Sequence, residues 1–546
     1  MNFALNVISK KALCTLLFPL CSAMGALAVY AAEVPAGVQL AAKQELVRGN
    51  GSEPASLDPH KVESDVESHL INDFFDNLIH IRDDGVIQPR LAERWDNDGN
   101  RVWTFHLRPG LKWSDGSPLT ADDVVYSWQR LSDPKTLSPY GSYIASMYVE
   151  NAADIMAGKK SPQELGIKAL DSQTVQVTLE HPVPYFLAMA DYHVLVPLPK
   201  AVIEKYGDSW TQVKNFVSSG PYVMSEWVVN ERLVGKRNPQ YWDNAHTVIE
   251  KVTYLPIASQ AAELSRYKSG EIDVTNILSP IQFKQLQKDY PDEVKISPLL
   301  GTYLYQFNTR KAPFNDPRVR RALDLSLDKA IIADNVLGMG QIPAYNLPPD
   351  GTGGFKTLMP EWVGWTQQQR NEEAKKLLKE AGFDEKHPLK FSLLYNTSES
   401  HQRIAIAASS MWKKNLGVEA KLVNQEWKTM LDTMRLGDYE VVRYAWIADY
   451  NEPSTFLNIM RSQDSNNNSK FSNAEYDALL QKALTVSDKA EKEKVYQQAE
   501  AILQQQMPGS PIYHYVQSQM VKPYIGGFHA NNRGQYYTQD MYVIAH

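Results

Sequence analysis

The sequence predicts a mixed α/β fold built from more than one domain. The chain has 546 residues, which is longer than a single hydrophobic core usually supports. Between residues 389 and 447, strand-like runs alternate with helical patterns that end at glycine, as expected for βαβ units. The alternating run Trp103–Arg108 is followed by a helix that Thr120 can cap. These patterns favour mixed sheets flanked by helices, and no short-period repeat points to a solenoid.

Local sequence patterns predict a helix and a strand before residue 300 and the start of a helix after it. A helix is predicted over 260–268 with Gly270 after its end, and a strand is predicted over 271–274. Asp316 followed by Pro317 predicts a helix start, because Asp caps exposed backbone N–H groups and proline is favoured at the first helical position.

In the second half, strands and helices alternate. The predicted order is strand 389–395, a helix capped by Thr397 or Ser398 and ending at Gly417, strand 418–423, helix 428–436 and strand 441–446. One long amphipathic helix is predicted over 474–506, and a strand over 511–516 closes the region.

The loop after strand 441–446 carries the strongest candidate for ligand binding. Pro453 prevents the strand from continuing, and Asp449 lies between Trp446 and Tyr450. Ligands of α/β folds commonly bind just past strand ends. A carboxylate there is costly to desolvate unless it meets a cation, so we predict the α-ammonium group of a peptide as its partner. The alternative is a surface loop in which Asp449 caps the next helix.

The N-terminus has the features of an export signal. Lys10 and Lys11 precede an apolar run from Ala12 to Tyr30, and Ala31 completes a Val-Tyr-Ala tripeptide with small residues where signal peptidase requires them. We predict cleavage after Ala31. The alternative is an uncleaved anchor helix.

Composition excludes several function classes. Both cysteines lie within the predicted signal peptide, at Cys14 and Cys21. The mature chain therefore has no disulfide, zinc–thiolate site or cysteine nucleophile. The net charge is −7, with both signs dispersed, and the absence of a basic stripe argues against nucleic acid as a partner. No clustered His or Cys supports a metal site, and no cofactor is predicted.

Three blocks of sequence resemble the periplasmic oligopeptide-binding proteins that serve ABC importers. They are WTFHLRPGLKWSDGSPLTADDVVYS at 103–127, LLYNTSESHQRIAIAASSMWKKNLGVEAKLVNQEW at 393–427 and WIADYNEPSTFL at 446–457. The resemblance extends over essentially the whole mature chain. It implies a two-lobed periplasmic binding protein, a Venus-flytrap clamp with an extra third domain, whose hinge closure buries the ligand. The implied boundaries are a signal peptide at 1–31, lobe I at 32–75, 199–300 and 517–546, domain II at 76–198 and lobe III at 301–516.

The resemblance also implies roles for individual residues. In this family the peptide is extended and pairs its backbone with strands of the protein. Asp449 matches the aspartate that binds the α-ammonium group, and Ala445, Trp446 and Ile447 would offer backbone groups beside it. The implied aromatic walls are Tyr140, Trp427 and Tyr515, and the implied polar positions are Glu63, Asn276, His401 and Arg443.

Departures from the family pattern affect the cleft. The family's paired cysteines fall at Gly301 and Ile447, so their disulfide is absent, as it is in the murein-tripeptide type. Met434 replaces an arginine, and a tyrosine and a glutamate are replaced by Leu304 and Gln306. Arg443 is therefore the best remaining anchor for a ligand carboxylate.

These features predict a non-enzymatic, monomeric receptor in the periplasm that captures short peptides and delivers them to a membrane-embedded ABC permease. An alternative is a receptor for the murein tripeptide, whose extra carboxylates Arg443, His401 and Arg435 would bind. A remote alternative is an exported peptidase, although neither a Gly-x-Ser-x-Gly nor a His-Glu-x-x-His motif is present.

Overall fold

A computed structural model describes residues 32–82, 86–183, 185–486 and 488–546. The predicted signal peptide and its cleavage site lie outside these residues. Three larger sheets and two short hairpin-like pairs organise the described chain, and helices cover the sheets. The prediction of a mixed α/β fold is confirmed. Among the described residues, no helix combines the length and the apolar character needed to cross a membrane.

The first sheet joins segments that are far apart in sequence. Its order is Glu45–Gly49, Lys251–Leu255, Arg232–Arg237, Tyr222–Val228. Glu45–Gly49 and Lys251–Leu255 pair in parallel. Near the C-terminus, the pair Ile525–Gly526 and Tyr542–Val543 continues into a bridge between Leu40 and Ile544. The two ends of the described chain therefore meet in the same part of the molecule.

The second sheet is antiparallel and lies within one continuous segment. Its order is Ala92–Asp98, Val102–Leu107, Thr174–Thr178, Ile167–Asp171. The helix Ala121–Ser132 begins with a capping box between Thr120 and Asp123, which confirms the predicted helix start. A short pair, Ile79–Ile81 with Ile87–Pro89, precedes this sheet.

The third sheet has six strands. Their order is Ile342–Pro343, Gly509–Met520, Val294–Phe307, Val441–Ile447, Lys390–Asn396, Glu419–Gln425. The last three strands are linked by the helices Glu399–Leu416 and Trp427–Leu436, and they pair in parallel. The predicted βαβ succession is confirmed, and Val441–Ile447 lies inside the sheet as expected.

The remaining α-helices lie in the segments that precede, connect or follow the strands of the three larger sheets. They are Asp65–Phe74, Gly141–Ser146, Ala152–Met156, Phe186–Ala190, Lys200–Tyr206, Gln260–Lys268, Phe283–Asp289, Pro317–Leu325, Gln367–Glu380, Ser454–Leu457, Ala474–Thr485 and Lys489–Gln506. The predicted helix 260–268 is confirmed, and so is the cap at Asp316, whose carboxylate accepts the backbone N–H of Arg318 at 2.8 Å.

Two predicted elements are wrong. The region 271–274 is not a strand; only Val274 forms isolated bridges, because the Asp273 side chain accepts the N–H of Val47 at 2.8 Å. The predicted helix 474–506 is divided into Ala474–Thr485 and Lys489–Gln506. Asp488 starts the second helix by accepting the N–H of Glu491 at 2.8 Å.

A stability prediction concerns the core beside the third sheet. Trp412 is fully buried, and its Nε1 donates to the carbonyl oxygen of Leu323 at 2.9 Å. We expect Trp412→Ala to lower the free energy of unfolding of this region by about 3–5 kcal/mol, through lost burial and the cavity left behind. Ile406→Ala is the matched control, because Ile406 lies on the same helix and is 53% exposed. The control should change stability by less than about 0.5 kcal/mol. Urea denaturation measures both, and equal effects would contradict the assignment of this core.

Candidate ligand-binding site

A cavity of about 280 Å³ lies between the third sheet and segments associated with the first. One side is formed by residues within 51–69, 257–277 and 533–535, and the other by residues within 396–449 and 513–517. All eleven predicted site residues line it: Glu63, Tyr140, Asn276, His401, Trp427, Arg443, Ala445, Trp446, Ile447, Asp449 and Tyr515. The structure therefore brings them together, while their individual roles stay predictions.

Asp449 is a buried carboxylate with only neutral partners. It is 4% exposed, and the Tyr140 hydroxyl donates to its Oδ1 at 3.4 Å. Arg533 lies nearby, but it donates to the backbone carbonyl of Asp449 and forms its ion pair with Asp191 at 2.7 Å. Within the described part of the chain, no Lys, Arg or His nitrogen lies within 4.0 Å of the Asp449 carboxylate. Among the described residues, no cation therefore contacts this carboxylate, and the charge of the nearby Arg533 only partly opposes the rise of its pKa.

Burial has a measurable consequence for this group. It raises the pKa of Asp449 to about 7; the hydrogen bond from Tyr192 opposes the rise, and the neighbouring Asp464 adds to it. A cation entering the cavity would return Asp449 to its charged form.

The capping role belongs to a different acid. Glu452 accepts the backbone N–H of Ser454 at 2.8 Å, at the start of the helix Ser454–Leu457. The position of Asp449 is instead fixed through its backbone N–H, which donates to the side-chain oxygen Thr455 Oγ1 at 3.0 Å. The alternative in which Asp449 caps the next helix is wrong.

The strand that leads to Asp449 has one open edge. All seven residues of Val441–Ile447 pair with the strand Val294–Phe307. On the other side, only Val441 and Val442 pair with Lys390–Asn396. From residue 443 to 447 that edge has no strand partner among the described residues, and it borders the cavity. An extended ligand backbone can pair there.

Backbone alternation shows which residues face this open edge. The N–H of Ala448 donates to the carbonyl of Leu300 at 2.7 Å, and the carbonyl of Trp446 points toward Gly301. Because backbone groups of successive residues point to opposite sides of a strand, those of Ala445 and Ile447 face the open edge. The backbone groups of Trp446 face the strand Val294–Phe307 instead; Trp446 lines the cavity, and its role at the site stays a prediction.

Arg443 is the counterpart of Asp449 in the cavity. It is 9% exposed; its guanidinium donates to Asn396 Oδ1 at 3.3 Å and to the Tyr515 hydroxyl at 3.0 Å. It also lies over the ring of Tyr303, 5.2 Å from its centre. Among the described residues, no carboxylate lies within 4.0 Å of it, and its Nε has no hydrogen-bond partner. Asp449 and Arg443 are thus a buried acid and a buried base that line the same cavity, and neither has an ion-pair partner among the described residues.

The other polar residues are neutral or already engaged. Burial lowers the pKa of His401 well below its ordinary value, and the charge on Arg443 lowers it further, so the ring is neutral. Glu63 pairs with Arg435 at 2.8 Å. The side chain of Asn276 lies against Gly51, while its N–H donates to Glu263 at 2.9 Å.

Polar contacts also join the two sides of the cavity. The Glu399 carboxylate accepts the Ser259 hydroxyl at 3.0 Å and the N–H of Ala261 at 3.3 Å, at the start of the helix Gln260–Lys268. Ser400 donates to Gln260 at 2.9 Å. With the Glu63–Arg435 pair, these contacts hold the two sides together.

Three residues that support the site could not be predicted from the sequence. Tyr192, Arg533 and Glu399 support Asp449 or the closed interface. Tyr192 donates to the Tyr140 hydroxyl at 2.7 Å. No local pattern marks these residues, because each acts on a segment distant in sequence.

The position of the family's missing disulfide is filled by packing. Gly301 and Ile447 face each other in register on neighbouring strands. A Cβ atom on Gly301 would collide with the Ile447 side chain, so the glycine gives that side chain its space. In the described residues, no group of three or more His, Cys, Asp or Glu side chains is arranged to hold a metal ion.

A cavity enclosed by two lobes, with a charge of each sign and an open strand edge, defines a clamp-type solute-binding protein. Comparison with known proteins agrees. The model for the middle region of bacterial extracellular solute-binding proteins, family 5, matches residues 86–468. This protein belongs to that family.

Relatives over the full length support the same assignment. The periplasmic oligopeptide-binding protein OppA of Salmonella typhimurium is 51% identical, over 96% of this chain and 97% of its own. The periplasmic murein peptide-binding protein MppA of Escherichia coli is 46% identical, over 95% and 96%. The structure of Haemophilus influenzae OppA in complex with RPPGFSPFR has a TM-score of 0.91 at 43% identity, covering 93% of this chain and all of that one.

Two structures of murein tripeptide-binding proteins named MppA, the first from Escherichia coli, show which conformation the described structure has. One murein tripeptide-binding structure matches with a TM-score of 0.91, covering 93% of this chain and 100% of its own. The unliganded open form matches with only 0.65, covering 94% and 99%. Sequence identity is 45% for both, so the difference is in domain arrangement. The described structure is closed relative to that open form.

A pH dependence follows from the burial of Asp449. In the closed form its pKa is about 7, whereas a hydrated aspartate in an open form has a pKa of about 3.9. Closing without ligand therefore takes up a proton between these values, and a rising pH disfavours the empty closed form. We expect the radius of gyration of ligand-free protein to increase from about pH 5 to about pH 8.

Small-angle scattering measures this change. The control is Asp449→Asn, which removes the titrating group and keeps its shape. The same pH dependence in that variant would show that another group is responsible, with Asp464 the first to test.

Proposed function

We propose that this protein is a periplasmic receptor that captures short peptides between its lobes and delivers them to an ABC-type peptide importer. The observation that carries the proposal is a cavity with a cation-free buried Asp449 beside the open edge of the strand Val441–Ile447. The relatives are named as periplasmic peptide-binding proteins, which supports both the ligand class and the location.

The cavity complements the chemistry common to all peptides. The α-ammonium group would meet Asp449, and the terminal carboxylate would meet Arg443. The ligand backbone would pair with Ala445 and Ile447, whose groups face the open edge. These contacts use no ligand side chain, so they bind peptides of many sequences.

The two charges also limit ligand length. Arg443 and Asp449 are six residues apart, and six extended residues span roughly 20 Å. A ligand that contacts both charges would therefore have no more than about six residues. The reach of the two side chains allows shorter ligands.

The small number of cationic side chains without an ion pair, among the described residues of the cavity, favours ordinary peptides over the murein tripeptide. That alternative assigns extra carboxylates to Arg443, His401 and Arg435. However, His401 is neutral, and Arg435 is engaged by Glu63 and by Asp432 at 3.2 Å. Among the described residues that line the cavity, this leaves Arg443 for a carboxylate, because Arg533 is paired with Asp191.

Further features of the proposal concern the whole chain. We place signal cleavage after Ala31, lobe I at 32–75, 199–300 and 517–546, domain II at 76–198 and lobe III at 301–516. The relatives are binding proteins, which supports a receptor without catalytic activity, and we propose that it acts as a monomer.

Asp449→Ala tests the site. Removing this carboxylate leaves the ligand ammonium buried without a partner, so we expect peptide affinity to fall by about 3 kcal/mol or more, at least a hundredfold. Isothermal titration calorimetry with trialanine measures the loss. N-acetyl-trialanine should bind the unchanged protein equally poorly, since it lacks the ammonium group. Unchanged affinity of the variant for trialanine would overturn the assignment of Asp449.

Competition between ligands tests the ligand class. We expect trialanine to displace a bound fluorescent peptide at a concentration at least tenfold lower than the murein tripeptide does, because the described residues of the cavity offer one cation without an ion pair, Arg443.

Native mass spectrometry is a second test of the ligand class. The purified protein should show a ladder of masses from bound short peptides. A single mass equal to the murein tripeptide would move the assignment to that ligand. New peptide fragments appearing with time would indicate a peptidase.

A further inference from the structure

A buried cation lies beside Asp449 but is turned away from its carboxylate. Arg533 lines the cavity and is 9% exposed. Its Nη1 donates to the backbone carbonyl oxygen of Asp449 at 3.0 Å, while no ion pair within 4.0 Å joins the two side chains. A cation at the proposed ammonium site therefore contacts the backbone of Asp449 and leaves its carboxylate free.

Asp191 accounts for this orientation. The Nη2 of Arg533 donates to the Asp191 carboxylate at 2.7 Å, and Nη1 donates to the Asp191 backbone carbonyl oxygen at 2.9 Å. A planar guanidinium makes such paired contacts in a fixed geometry. Because Asp191 holds both terminal nitrogens, the guanidinium of Arg533 has a fixed direction.

Asp191 is itself held in place as an anion. It is buried, and its Oδ2 accepts the backbone N–H of Ile81 at 2.8 Å and lies 3.3 Å from His80 Nδ1. Burial opposes ionisation of this carboxyl, but His80 and Arg533 outweigh burial and hold the pKa of Asp191 below its ordinary value. The acid that binds Arg533 is therefore charged at neutral pH.

The residue after Asp191 supplies a neutral partner for Asp449. The Tyr192 hydroxyl donates to the Tyr140 hydroxyl at 2.7 Å, and Tyr140 donates to Asp449 Oδ1 at 3.4 Å. A hydroxyl stabilises a carboxylate by hydrogen bonding without neutralising its charge. Residues 191 and 192 thus hold a cation away from Asp449 and give its carboxylate a neutral donor.

Without Asp191, Arg533 would have a different partner. An unpaired guanidinium is costly to bury, and the carboxylate of Asp449 is only a few bonds from the carbonyl that Arg533 already contacts. Rotation of the Arg533 side chain would then form an internal ion pair where the ligand ammonium group binds. Because two cations at one carboxylate repel each other, this internal pair would compete with the ligand.

We propose that Asp191 is a positioning residue that withholds Arg533 from the Asp449 carboxylate and so keeps this carboxylate for the α-ammonium group of the peptide. The inference rests on the proposed peptide-binding function. It adds a determinant of specificity that does not itself line the cavity, since Asp191 acts through Arg533.

Asp191→Asn tests the assignment, because it removes the anion and keeps its shape. Competition with a fluorescent peptide measures the affinities for trialanine and for N-acetyl-trialanine at about pH 8, above the pKa of Asp449 of about 7. We expect the variant to bind trialanine at least tenfold more weakly, with its affinity for the acetylated peptide changed less than threefold. An equal loss for both peptides, or no loss, would overturn the inference.

A second substitution separates this role from a merely structural one, which would change the two affinities alike. Arg533→Met removes the competing cation, so the protein with both Asp191→Asn and Arg533→Met should prefer trialanine over its acetylated form at least tenfold more than Asp191→Asn does. Absence of this recovery would overturn the inference. Arg533→Met alone decides the proposal if Asp191→Asn does not fold. It should raise the preference for trialanine, since a cation no longer repels the ammonium group, and an unchanged or lower preference would contradict the proposal.

Asp76→Asn is the matched control. Asp76 and Arg90 form another buried ion pair, with Oδ1 and Nε 3.0 Å apart, and neither residue lines the cavity. This variant should unfold at a lower temperature but keep the preference of the wild-type protein for trialanine. An equal loss of preference in Asp76→Asn and Asp191→Asn would overturn the inference, because any broken buried pair would then have the same effect. A wild-type protein that binds both peptides equally would instead contradict the proposed function of Asp449.

Discussion

The half-paired strand Val441–Ile447 is the constraint on which the binding site depends. Its first two residues are enclosed between two neighbours, and the rest has a partner on one side only. Buried backbone N–H and C=O groups need hydrogen-bond partners. Inside a closed cavity, the unpaired edge is stable only when a ligand or water supplies them. The sheet by itself therefore favours the binding of an extended backbone, independently of any side-chain contact.

The charges of Arg443 and Asp449 determine the direction in which the bound backbone runs. Arg443 lies on the strand and Asp449 just beyond its end, so a ligand with opposite terminal charges has one favoured orientation. Each charge is expensive to bury alone, which makes the empty closed cavity costly. Polar contacts such as Glu399 with Ser259 act in the other sense, by favouring contact between the lobes. Ligand binding shifts this balance, because only the ligand interacts favourably with the closed arrangement of charges.

Local patterns explain what could be predicted from the sequence. Gly417 and Gly437 end helices in the left-handed backbone conformation. Because glycine is favoured at such helix ends, these two residues made the βαβ unit predictable. Asp449 stood out because aromatic residues flank it at a strand end. Non-local contacts had no such pattern: the pairing of Glu45–Gly49 with Lys251–Leu255 and the placement of Arg533 depend on the assembled fold. The division at Asp488 was missed because helical periodicity outweighed a single cap residue.

The contact between Gly301 and Ile447 has a consequence for biogenesis. Two adjacent strands at the edge of the cavity are held by hydrogen bonds and close packing, and residues 32–546 contain no sulfhydryl group. Residues 32–546 therefore fold without forming a disulfide, and thiol–disulfide exchange has no site at which to alter their packing.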